Sequence, residues 1–77
     1  MPTVHPSITL LAKVLEEVRA IRRLAKSDPD AAHGREDKLF EEVMRYIASG
    51  KATKNDAIAL AEAVLKSKES DFARWTA

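Results

Sequence analysis

Leu24-Ala25-Lys26-Ser27-Asp28-Pro29-Asp30-Ala31 is the stretch on which the fold turns. Apolar residues at helical spacing run into it and out of it, and Asp28-Pro29 interrupts them. A proline after a helix stops it, because the ring has no N–H to donate and disfavours helical backbone in the residue before it. The same proline suits the first turn of a new helix, where the N–H would go unused, and an aspartate just before it can accept from the free amides. One helix ends here and another begins within a few residues. So short a connection predicts an antiparallel hairpin.

Upstream, Pro6 and Ser7 can open a first helix over about residues 7–26. Its apolar residues are Ile8, Leu10, Leu11, Val14, Leu15, Val18, Ile21, Leu24 and Ala25. At about 100° per residue they fill an arc of roughly 200°, against the ~100° stripe of an ordinary surface helix. Leu11, Val14, Val18, Ile21 and Ala25 also follow the 3-4-3-4 spacing of a short coiled-coil seam. That arc is wider than one neighbouring helix covers.

Downstream, a second helix is expected over about 29–49, closing at Ser49-Gly50, where glycine can adopt the left-handed conformation. Its expected buried face is Ala32, Leu39, Phe40, Val43, Tyr46 and Ile47, with Met44 at the edge. Thr53-Lys54-Asn55-Asp56 reads as a capping box that opens a third helix over about 54–68. There the expected buried set is Ala57, Ile58, Leu60, Ala61, Val64 and Leu65. Ser70-Asp71 begins a C-terminal turn over about 71–76, whose Phe72 and Trp75 are expected to dock on the bundle. The fold class is therefore all-α: a three-helix domain made of a hairpin and a shorter third helix.

Composition bounds the function. The 77 residues allow one domain. With no cysteine, disulfides and thiolate metal sites are excluded, and a reducing compartment fits. The first residues lack the layout of a secretion signal, and no apolar run approaches the ~18 residues that cross a bilayer. The expected location is the cytoplasm, with no membrane partner. A net charge of +1 argues against a dedicated nucleic-acid binder. Charge is nonetheless segregated. Residues 8–27 hold five basic and two acidic side chains, whereas 28–49 hold three and six. Packed side by side, the two segments attract modestly.

Three groups of residues are candidate sites. The first is the seam of the first helix, with Leu11, Val18 and Ile21 as an interface and Val14 and Leu15 at its border. The second is the basic cluster Arg19, Arg22, Arg23 and Lys26, which can meet phosphate but equally suits the negative end of a helix dipole. The third is His33-Gly34-Arg35-Glu36-Asp37. Glu36 projects inside the apolar arc, so it needs a partner such as an arginine of the first helix. His33, Glu36 and Asp37 then either form a polar pocket or lie where the core stripe runs out into water. Gly34 costs roughly 1 kcal/mol against alanine within a helix, which a close approach or a bound group would explain.

No metal site is expected, since His33 and Asp37 supply two ligands and His5, the other histidine, lies far away. No cofactor is expected either. Catalytic signatures such as Gly-x-Ser-x-Gly, a phosphate-binding glycine loop or His-Glu-x-x-His are missing. Adjacent acids such as Glu41 and Glu42 diverge on a helix. An enzyme is not expected.

Three motifs carry a resemblance. His33-Gly34-x-Glu36-Asp37-x-Leu39, Ile47-Ala48-x-Gly50 and Asp71-Phe72-x-Arg74-Trp75-x-Ala77 resemble short uncharacterised proteins of bacteria and their phages or prophages. The resemblance leaves out the first helix and brings no activity or functional residue with it. It implies a prokaryotic or viral accessory protein. The expected function is thus a small interaction protein, an adaptor or inhibitor, that forms a homodimer or binds a host protein through the apolar face of the first helix. The alternative is binding of nucleic acid or nucleotide phosphate through the basic cluster.

Overall fold

The computed structural model describes residues 6–69, and every regular element among them is a helix. α1 spans Pro6–Ala25, α2 Pro29–Ala48 and α3 Lys54–Lys68. The helices pack against one another as an all-α three-helix domain. The expected C-terminal turn, with Phe72 and Trp75, lies outside the described residues.

Local chemistry sets the joints. The Asp28 side chain accepts from Ala31 N at 3.1 Å, with Pro29 in the first turn of α2. At the other end Gly50 has φ +81°, and its N–H donates to the Ile47 carbonyl at 3.1 Å. That backbone conformation is open to glycine and strained for other residues. Thr53 and Asp56 form the reciprocal capping box, with both hydrogen bonds at 3.1 Å.

Cross-helix contacts fix the directions. Ser7 Oγ meets Tyr46 Oη at 2.6 Å, Lys13 pairs with Glu42 at 2.7 Å, and Arg35 pairs with Glu17 at 2.6 Å. As α1 numbers rise, their α2 partners fall, so the two helices are antiparallel. The second charge pair runs against the segregation seen in the sequence, since its base comes from the acidic segment. Arg22 Nη2 donates to the Lys66 carbonyl at 3.0 Å, which sets the end of α3 beside the end of α1.

The three helices share the core equally. Val14, Val18 and Ile21 come from α1, Ala32, Leu39 and Val43 from α2, and Leu60, Ala63 and Val64 from α3. Phe40, Tyr46 and Ile47 are half-buried rather than enclosed. α3 departs most from expectation. Ala63 and Ser67 are buried, while Ile58 and Leu65 are exposed. At about 100° per residue, Ile58 and Leu65 lie roughly 140–160° from Leu60, nearly opposite the core. α3 packs through Leu60 and Val64 together with the small Ala63 and Ser67, and Ile58 and Leu65 are left outside.

Candidate functional site

α1 reaches into the space between α2 and α3 and is covered from both sides. The middle of its wide apolar arc is consumed in this way. Val14, Val18 and Ile21 are core residues, at 0–3% exposure, and not an outward interface. The seam spacing that resembles a coiled coil is the spacing of a helix with two neighbours in its own chain. Leu11 and Leu15 remain half-exposed at its border, and Ile8 projects outward.

The basic cluster divides. Arg22 donates to the Lys66 carbonyl and pairs with Glu69 at 3.5 Å, closing the C-terminal end of α3. Arg19, Arg23 and Lys26 are exposed near the end of α1.

Glu36 is completely buried, so the core stripe does not run out into water there. Two of its partners come from α3. Ser67 Oγ donates to Oε2, and Lys68 Nζ approaches Oε1 at 3.3 Å. Lys68 Nζ also stands 5.0 Å from the centre of the Phe40 ring, within cation–π range. His33 Nε2 lies 3.4 Å from Asp37 Oδ1 one turn along the same helix. Within the expected trio, Glu36 turns into the bundle and Asp37 into solvent. Ser67 and Glu36 are both sealed from solvent, so this serine–carboxylate pair reaches no substrate. Its work is structural: it joins α2 to α3. Apart from its chain neighbours and its own helix backbone, nothing among the described residues lies within 4 Å of where a Cβ on Gly34 would stand, so close approach does not explain this glycine.

The charged side chains between α1 and α2 line a hollow of about 320 Å³, with Lys13, Glu17, Arg35, Lys38, Leu39 and Glu42 around it. The Glu42 carboxylate accepts from Lys13 and holds its ammonium above the usual lysine value. Lys13 pairs with Glu42 and Arg35 with Glu17 across the hollow.

The opening between α2 and α3 is different in kind. Phe40, Met44, Ala61, Val64 and Leu65 line a groove of about 300 Å³ with no polar side chain and no residue of α1. Four large apolar side chains are exposed among the described residues: Ile8 63%, Met44 53%, Ile58 47% and Leu65 59%. Two of them line this groove, and Ile58 lies on the same side of α3 as Leu65. Lys68 and the buried Glu36 mark its end. Sequence reasoning missed the groove because it placed Ile58 and Leu65 in the core. The signal was present in their angular distance from Leu60.

No family model, curated protein or solved structure matches this chain. No helix among the described residues is long and apolar enough to cross a membrane.

Proposed function

We propose that this chain is a non-enzymatic protein-interaction module whose binding surface is the apolar groove between α2 and α3. The observation that carries the reading is the gathering of Met44, Ile58 and Leu65 on one face, around a groove floored by Phe40 and Val64. Exposed apolar side chains are ordinary singly and informative when contiguous. A lining without polar groups offers a small metabolite nothing to orient it. It suits a segment that brings two large apolar side chains one helical turn apart, as in helix-in-groove recognition. Methionine in the lining adapts to aromatic or aliphatic occupants. The interface thus moves from the α1 face expected from sequence, which the core occupies, to the face that α2 and α3 leave open. A bacterial or phage accessory role in a reducing cytoplasm accords with the motif resemblance and with a chain that has no cysteine.

Capture from a lysate of the source cell tests this, with the wild-type chain and the Met44→Lys/Leu65→Lys variant compared at high salt. An apolar interface holds as salt rises. The proposal predicts a protein retained by the wild type and lost by the variant. Equal retention by both refutes it.

A second reading rests on the exposure of Arg19, Arg23 and Lys26 beside one another at the end of α1. It predicts binding of a phosphate polymer that weakens steeply with salt. Binding no tighter than the ~10⁻⁴–10⁻⁶ M non-specific range excludes it.

A further inference from the structure

A segment whose chemistry matches the groove is found within the chain itself. Ser70-Asp71-Phe72-Ala73-Arg74-Trp75-Thr76-Ala77 follows α3 directly and lies outside the described residues. Two of the four aromatic residues of the chain fall in these positions, three apart. Of the other two, Phe40 lines the groove and Tyr46 meets Ser7. Spacing of three puts both rings on one side of a helical turn, which is the signature the groove suits.

Reach permits the docking. At 3.3–3.6 Å per residue, Phe72 lies within about 10 Å of Glu69 along the chain, and Trp75 within about 20 Å. At 1.5 Å rise per residue, Leu65 is about 6 Å back along α3 and Ala61 about 12 Å. A segment that reverses direction after Glu69 therefore brings both rings over Leu65, Met44 and Ala61. The end of the groove nearest its entry carries the Lys68 ammonium, opposite in charge to Asp71 at the start of the segment.

We propose that residues 70–77 occupy the α2/α3 groove of their own chain, with Phe72 and Trp75 against Met44 and Leu65, and that a partner binds by displacing them. This rests on the groove being the interaction surface. The segment then acts as an intramolecular stand-in for the partner's apolar turn. It shields the groove when no partner is present and admits only partners that compete with it.

Trp75 is the one tryptophan of the chain, so fluorescence of the full-length protein excited at the red edge of the indole band, where Tyr46 does not absorb, reports on it alone. The expected wild-type emission is blue-shifted and protected from acrylamide quenching. In Met44→Lys/Leu65→Lys it should move to that of a water-exposed indole, with the far-UV circular dichroism of the helices retained. Phe72→Ala should shift it in the same direction. Ile8→Lys, on α1, should leave it unchanged. Water-exposed emission in the wild type, or blue-shifted emission that ignores both groove substitutions, overturns the docking. A blue shift lost on dilution, in step with dissociation of a dimer, overturns it too, because the segment then sits in a second copy.

The two proposals fail separately. An exposed indole together with partner capture that needs Met44 and Leu65 removes the stand-in and leaves the interaction surface. A docked indole together with capture that ignores those residues does the reverse.

Discussion

Glu36 shows how far one residue can be read. Its position inside the apolar arc was legible from helical periodicity, and so was its need for a partner. Ser67 as a partner was not legible, because serine at position 67 carries no hydrophobic signal that would place it in a core. In the structure Ser67 donates to a carboxylate with no exposure to water. Removing one member of a buried polar pair costs more than removing both. Ser67→Ala should therefore lower unfolding stability by about 1–3 kcal/mol in urea titrations. The double variant Glu36→Met/Ser67→Ala should recover part of that loss. A Ser67→Ala variant as stable as wild type contradicts the pairing. Gly34 gives a prediction of opposite sign. Its site is open and helical, so Gly34→Ala should stabilise by roughly 1 kcal/mol, measured in the same way.

At the scale of elements, the joints were the most legible part. Asp28-Pro29, Ser49-Gly50 and Thr53-x-x-Asp56 act through hydrogen bonds between near neighbours, so their chemistry is complete within a few residues. Thr53→Ala should cost about 0.5–2 kcal/mol by leaving the α3 amides uncapped. The inward face of α3 was the least legible. Four of its residues are alanines, which pack on any side, and two of its three largest apolar residues, Ile58 and Leu65, point outward while Leu60 points inward. Size was taken for burial, and the tight contact of Ala63 went unseen. The structure predicts a reversal of the usual hydrophobic rule. Leu65→Gln should change the melting temperature little, because Leu65 is exposed. Ala63→Leu should destabilise by about 1–3 kcal/mol through overpacking. A destabilising Leu65→Gln with a tolerated Ala63→Leu would mean that α3 is rotated from the orientation described.

For the whole molecule, the sequence established that the apolar surface exceeds what a hairpin can bury but misplaced the excess. A helix with two neighbours in its own chain and a helix with one neighbour and one outside partner show the same wide arc. Only the direction in which α3 returns separates them. Because α3 packs along both other helices, α1 is covered on two sides and the α2/α3 boundary keeps an open apolar face. The charged surface follows the same logic. Lys13–Glu42 and Glu17–Arg35 tie α1 to α2, and solvent-exposed pairs of this kind contribute ~0–1 kcal/mol each. They favour the register of the hairpin more than its stability, whereas the apolar groove carries no such internal pairing.

The most direct test of the account compares capture of a cellular protein by three full-length chains at high salt. They are the wild type, Met44→Lys/Leu65→Lys in the groove, and Ile8→Lys/Leu15→Lys on α1, each shown by circular dichroism to be helical. The account predicts one protein retained by the wild type and the α1 variant and absent from the groove variant. Retention by the groove variant with loss from the α1 variant would return the interface to α1 and contradict it.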